Sequence, residues 1–344
     1  MANNLDTPGK IYIVIGMVLL SGMFQGAIGT GQYVKGAPLG LTFLGEKTSF
    51  WGAQEGVNRI GGTIGHPNKF ALFLGVLLQV NISSFFARFP KNSKWYLRLT
   101  YLLPFAPMLF ALLVSFSRSG WASFLIGGVI NCSWCMGKRT GKKILSFLLV
   151  SGFFVCFAIL IFLTVESVRN RLLMDDKGAA EVRHPLAQVA WNIIEDKPWL
   201  GIGLNNYCSG YPEYDDTEFA VSIVFPLMVH NEFLLIAAET GIPAFLCFIY
   251  ILCWLFFTLW RISRIEYSPV IPYLAIGFFS GFTGWCIHNQ KEFAYVLFST
   301  RTWFYIGIIL SMKFFLEKEI KERFVVARQH LPVESCLISF QVTR

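Results

Sequence analysis

Residues 144–165 read ILSFLLVSGFFVCFAILIFLTV, twenty-two positions without one charged side chain. Lys142 and Lys143 stand immediately before them and Glu166 immediately after. A helix crosses the hydrocarbon of a bilayer with about 17 to 25 apolar residues, and this run has that length. Working outward, similar runs lie at about 11–30, 70–87, 99–116, 120–136, 242–260 and 270–287, with a shorter one at 302–316. Lys313 near the end of the last run has a stem long enough to snorkel to the headgroups. The bulk composition agrees: 54% of the 344 residues are hydrophobic, 15% are charged, and the mean hydropathy is +0.53. That excludes an ordinary water-soluble domain. The expected fold is an all-α polytopic membrane protein with about eight transmembrane helices.

The net charge of +8 does not point to nucleic acid, because the basic residues fall in short clusters between apolar runs rather than on one face. Arg88, Lys91, Lys94 and Arg98 form one cluster; Lys138, Arg139, Lys142 and Lys143 a second; Arg261 and Arg264 a third; Lys318, Lys321, Arg323 and Arg328 a fourth. Alternating crossings put all four on one side with Lys10. By the positive-inside rule that side is the cytoplasm, with both termini there. The expected organisation is five spans in residues 1–165, a long outward loop at 166–241, three spans at 242–316 and a cytoplasmic tail at 317–344. The polar start, Met1 to Lys10, precedes a run without a small-residue cleavage site and reads as the lead into a first span.

Ten Asp or Glu against five Lys or Arg make the segment from Glu166 to His230 acidic, so any use of its arginines is local. Within it, Leu186, Val189, Ala190, Ile193 and Ile194 recur at helical spacing over 180–195, ahead of Pro198 and Gly201-Ile-Gly203. The apolar stretch 219–229 is too short to span and suggests a helix in the interface. Six of the eight cysteines lie in apolar runs, so no disulfide framework is implied; Cys132 and Cys135 have redox or zinc spacing but read as packing. Asp175-Asp176 and Asp215-Asp216 have no convergent third ligand and read as solvated surface.

Four outward features carry chemistry. His230, followed by Asn231, can take a proton from a hydroxyl as a general base, or sit in the interface as a hydrogen-bonded residue. Arg183, followed by His184-Pro185, can hold a diphosphate leaving group through its paired donors, or pair with a neighbouring acid. Arg118, in Ser115-Phe-Ser117-Arg118-Ser119-Gly120, is an anion site or a membrane anchor. Arg59, in the run from Asn58 to Asn68 with Gly61, Gly62, Gly65 and His66, can touch a polar headgroup, or belong to a loop that caps the next span. His288-Asn289 repeats the His-Asn pair and reads as a helix end.

Together these stretches resemble the O-antigen ligase and O-antigen polymerase superfamily, membrane glycosyltransferases that use undecaprenyl-diphosphate-linked glycans. The resemblance runs from about Arg59 to Leu316. The family's pattern is His, then Asn, Ser or Gln, nine residues, Gly, two residues, and Gly, Thr or Tyr. His230, Asn231 and Gly241 fit it, and Ala244 departs from it at the last position. Arg183 followed by Pro198-Trp-Leu-Gly201-Ile-Gly203-Leu-Asn205-Asn206-Tyr207, Ser117-Arg118, and Arg59-Ile-Gly-Gly-Thr with Pro67-Asn68 match three further patterns in the same order.

The resemblance implies a GT-C-like fold and an inverting transfer at the outer face of a bacterial inner membrane, with no metal or other cofactor. In that reading His230 deprotonates the acceptor, Arg118 and Arg183 hold the departing diphosphate, and Arg59, Asn231 and His184 bind substrate. The implied partners are an undecaprenyl-diphosphate-linked glycan donor, a saccharide, lipid A core or other hydroxyl acceptor, and membrane lipids, with no nucleic acid. Members usually carry several more spans before the Arg59 segment, where this chain has one; a short member, a truncated product and an inactive remnant are the readings that leaves. The rival functions are a non-catalytic component of polysaccharide assembly or export and a transporter, the latter disfavoured by spans nearly free of ionisable residues.

Overall fold

The structure is a computed structural model that describes residues 4–50, 58–87, 100–173, 182–218, 220–224, 227–266, 268–292 and 299–330. Helix dominates its described residues, with no strand element among them. The long helices are α1 (Pro8–Lys35), α2 (Pro67–Phe86), α3 (Leu102–Val114), α4 (Arg118–Thr140), α5 (Lys143–Thr164), α10 (Glu232–Ser263), α11 (Ile271–His288) and α12 (Thr300–His330). Between α5 and α10 lie α6 (Glu166–Leu173), α7 (Arg183–Asp196) and two single turns, α8 (Tyr207–Gly210) and α9 (Val221–Val224).

The chain divides into two compact units, one of residues 1–16 with 300–344 and one of 17–299. In the larger unit α11 is central. Fourteen of its eighteen residues are buried, and it packs on α2, α4 and α10. Close approach depends on small residues: a Cβ at Gly277 would lie 2.9 Å from the Val80 Cα, and one at Gly281 would lie 3.2 Å from the Val76 Cα. Where the surrounding solvent is itself apolar, such backbone-to-backbone fits are what hold helices together. Buried amides add to the seam between α2 and α4: Asn131 Nδ2 donates to the Gln79 carbonyl at 2.7 Å, and Gln79 Nε2 to the Phe124 carbonyl at 3.0 Å.

By length and composition α1, α2, α5 and α10 can each cross a membrane. The most apolar window of α5 has a mean hydropathy of 2.8, yet only 11% of it is buried. Phe147, Leu148, Phe153, Leu160 and Leu163 are exposed along it. A helix that is apolar all round and largely uncovered requires a hydrocarbon solvent. The protein is membrane-embedded.

Helix ends follow local chemistry. α2 starts with Pro67, whose missing N–H costs nothing at that position. α4 stops at Gly141, left-handed at φ 73°, whose N–H closes on the Gly137 carbonyl. Lys138 Nζ reaches the Ser263 and Ile265 carbonyls at 2.8 and 2.9 Å, tying the basic end of α4 to the basic end of α10.

Three expectations change. The expected span at 99–116 is a helix of only 13 residues, because the chain turns sharply after Val114 with Phe116 at φ 53°. Of the expected interfacial helix over 219–229, the described residues show a single turn, Val221–Val224, with Leu227 to Val229 non-helical, and 219, 225 and 226 lie outside the described residues; Asp215 Oδ2 accepts the Ser222 N–H at 2.7 Å and ties this turn to the loop. The last helix does not stop near 316 but continues to His330, supported by pairs such as Lys313 with Glu317 and Arg323 with Glu319. Arg88, Lys91, Lys94, Arg98 and the pair Asp175-Asp176 lie outside the described residues.

Candidate functional site

Three arginines converge on the turn between α3 and α4. Ser117 caps α4, its Oγ accepting the Gly120 N–H at 3.3 Å. Arg59 Nε donates to the Ser115 carbonyl at 3.3 Å, and Arg171 Nε donates to the Phe116 carbonyl at 3.4 Å. Arg118 Nε donates in turn to the Arg171 carbonyl at 3.0 Å. Arg118 is the first residue of α4. A cation there adds to the positive end of the helix dipole instead of offsetting it, an arrangement that an anion would relieve.

Arg59 ties this turn to a second polar cluster. Its Nη2 donates to Asn68 Oδ1 at 2.6 Å, and Asn68 Nδ2 donates to the Glu292 carboxylate. Glu292 is 3% exposed. His66, which precedes α2, belongs to the same group. Burial pulls its pKa down to about 4; the Glu292 charge opposes this, while Lys69, Arg59 and His230 reinforce it. His66 is therefore a neutral ring near pH 7. Buried His288, at the end of α11, lies within electrostatic range of Glu292, His66 and Arg59.

His230 is half-buried and stands directly before the cap of α10. Asn231 is that cap: its Oδ1 accepts the N–H groups of Phe233 and Leu234 at 3.0 and 3.3 Å, satisfying donors that the first turn leaves open. Asn231 Nδ2 also reaches Gln290 Oε1 at 3.3 Å, and the Glu232 N–H donates to the Asn289 carbonyl at 3.0 Å. The backbone on which His230 rides is thus pinned to the end of α11.

Arg183 is half-buried at the first residue of α7, and its buried Nε donates no hydrogen bond among the described residues. His184 beside it is exposed. The far face of α7 places Leu186, Val189, Ala190, Ile193 and Ile194 in one core cluster with Tyr207, Val221, Val229 and Leu235. Val182 packs on the same cluster. Arg183 and His230, 47 positions apart, are therefore each the chain neighbour of a valine in one core.

What sets the height of that core is a backbone lock. α10 is broken at Gly241, at φ 78° and ψ 168°. Into the break fits the stretch 198–203: the Ile242 N–H donates to the Pro198 carbonyl at 2.7 Å, Ile202 N–H to the Ala238 carbonyl at 3.0 Å, and Gly203 N–H to the Glu239 carbonyl at 2.9 Å. A Cβ on Gly241 would fall on the Trp199 carbonyl, and one on Gly201, at φ 62°, would sit 2.5 Å from the Ala238 oxygen. Only glycine allows both the conformation and the contact.

Residues 103–249 match the protein family described as O-antigen ligase. Over this stretch the chain is similar to the O-antigen ligase family. No curated protein matches the chain.

The matched segment contains Arg118, Arg171, Arg183, His230 and Gly241, while Arg59, His66, Asn68 and Glu292 lie outside it in sequence. Arg59, through Ser115, joins the two parts. Two residues that sequence reasoning did not single out stand in the site, Arg171 and Glu292. The signal available for Glu292 was a lone acid just past a span that ends in His288-Asn289. Arg171 gave no signal, as one of several charges in an acidic loop. The departure of the ligase pattern at Ala244 falls on an exposed position, where side-chain identity has little to act on. Asp215 and Asp216 serve the loop itself: Asp215 caps Thr217 and Ser222, and Asp216 accepts from Asn192 Nδ2 at 2.7 Å. Burial raises the Asp215 pKa, but hydrogen bonds from Ser222 and Thr217 outweigh it and hold the group down at about 2. Cys135 packs against Tyr273 and Ile276.

Proposed function

We propose that this protein transfers a glycan from undecaprenyl diphosphate to a saccharide hydroxyl, as a polymerase or ligase, at the outer face of a bacterial inner membrane. His230 accepts the proton of the acceptor hydroxyl. The oxygen so freed attacks the anomeric carbon of the donor, the bond from that carbon to the diphosphate oxygen breaks with inversion, and the electron pair leaves on the diphosphate. Arg118 and Arg183 carry that negative charge, as permanently charged paired donors are suited to do. The sugar–diphosphate bond supplies the driving force, so no nucleotide is required outside the cytoplasm.

The single observation that carries this reading is the bridge made by Arg59, which hydrogen-bonds both the arginine-lined turn and the Asn68–Glu292 group around His66 and His230. A site that must hold an anionic leaving group beside a base needs those two chemistries joined. The neutral His66 spares the base a second nearby cation. Two of the substrate contacts also have structural parts. Asn231 keeps His230 in register through its cap, and Arg59 fixes the two halves of the site to each other. Exposed His184 is left as a contact for the glycan beyond the reacting bond. Residues 166–241 form the outward loop, and the Lys138 end of α4 and α10 faces the cytoplasm in keeping with the positive-inside rule.

Deletion of the chromosomal gene followed by complementation with His230→Ala and Arg183→Ala tests this reading. Surface-glycan extension is expected to be lost in both strains at unchanged protein level. Normal glycan chains in both would overturn it.

A further inference from the structure

A cleft of about 380 Å³ borders the Ser115–Ser119 turn at Phe116, among α1, α6 and the segment that carries Arg59. Asn58, Ser167, Asn170 and Arg171 line it with polar groups, and Tyr33 and Phe116 with aromatic faces. Its volume is within the range of roughly 300 to 1,000 Å³ typical of small-ligand sites. The lining has a defined chemistry. The amides of Asn58 and Asn170 offer both donors and acceptors, as a ring of sugar hydroxyls requires, the guanidinium and the serine hydroxyl add more, and the third amide of the lining, Gln32, is bonded to Glu46 and Gly62. Aromatic rings suit the C–H face of a pyranose, which is apolar while its edge is wet. A hydrocarbon chain would leave these polar groups unmatched.

The position matters as much as the lining. Asn58 directly precedes Arg59, and Phe116 lies within the turn that Arg118 follows. Arg171 belongs to both places: it lines the cleft, and its backbone carbonyl and Nε hold Arg118 and Phe116. We propose that this cleft is a saccharide subsite, holding a sugar of the donor or acceptor glycan against the turn that carries Arg118. The inference rests on the proposed glycan transfer and adds where a sugar is read and by which residues.

The test uses the full-length protein in lipid nanodiscs, with the lipid-linked glycan of the source organism as donor and the soluble oligosaccharide released from that glycan as a binding probe. Two variants close the cleft without touching the arginines: Asn58→Leu with Asn170→Leu, and Ser167→Trp. All three positions are exposed, and thermal melting checks that both variants keep the fold. Oligosaccharide binding is expected to weaken about tenfold, and KM to rise about tenfold with kcat within about threefold. Asn170→Gln, which keeps both hydrogen-bonding atoms, is expected to stay near wild type. Titrating donor at saturating acceptor, and acceptor at saturating donor, assigns the sugar to whichever KM moves. Wild-type binding and wild-type KM for both substrates in both cleft variants would overturn the subsite while leaving the transfer reading intact. Transfer that persists in His230→Ala, with oligosaccharide binding still lost in the cleft variants, would overturn the assignment of the base and uphold the subsite.

Discussion

Arg118 and Arg171 hold one turn between them. Arg118 Nε gives its hydrogen bond to the Arg171 carbonyl at 3.0 Å, while Arg171 Nε gives its own to the Phe116 carbonyl at 3.4 Å. Each thus spends one arm on backbone, and a lysine has no second arm to spend. Arg118→Lys is expected to lower transfer by roughly 100-fold, the scale of losing one charge-stabilising donor. Arg171→Lys, acting through Arg118, is expected to lower it roughly tenfold and to shift KM for the donor as well as kcat. Transfer assays on purified protein, with melting curves to show that the fold is kept, check both.

Gly241→Ala and Gly201→Ala are each expected to cost at least about 3 kcal/mol, because left-handed strain and a backbone clash fall on the same residue. The readout is loss of the monodisperse peak after detergent extraction, or a melting temperature several degrees lower. Ala244→Ser, at the exposed position three residues on, is expected to change stability by less than about 0.5 kcal/mol.

His66 gives stability an acid limb. Its folded pKa, about 4, lies below the ordinary value of 6.5, so the unfolded chain binds the proton first. The stability that this group confers is complete above about pH 6.5 and is lost as the pH falls toward 4. His66→Gln is expected to flatten the melting temperature across that window. Glu292→Gln is expected to steepen the loss and carry it to lower pH, since the carboxylate is what raises the His66 pKa. Melting curves in detergent at half-unit pH steps measure both.

Asn231 separates holding from reacting. Asn231→Asp keeps the oxygen that caps α10 but removes the amide that reaches Gln290, and is expected to be near wild type in stability with slower transfer. Asn231→Ala loses the cap as well and is expected to cost about 1 kcal/mol. Parallel melting and turnover measurements separate the two.

Much of this was legible in the sequence because it depends on neighbours along the chain. Apolar runs located the long helices, though α10 begins ten residues before its run and α12 ends fourteen after its own, and the spacing of Leu186, Val189, Ala190 and Ile193 located α7 and its buried face. The patterns around Arg59, Arg118, Arg183 and His230 were visible for the same reason. What was not legible depends on partners far apart in the chain. Glu292 matters because Asn68, 224 positions away, donates to it, and Arg171 matters because Arg118 does, 53 positions away. The extent of helix in 219–229 was not legible because apolar composition describes solvent preference, whereas hydrogen bonds to Asp215 hold the described turn Val221–Val224.

The break at Gly241 also bears on how such proteins can be recombined. The strip 198–203 and the residues around it in α10 fit as two halves of a joint. Neither half has a meaning of its own that a donor sequence would carry with it. A chimera that imports an outer loop from a relative while keeping its own spans would join mismatched halves, and its histidine would be set at the wrong depth. Exchanging 182–242 as one cassette keeps the joint whole, so the natural crossover points for building hybrids with new glycan preferences fall just before α7 and just after the break.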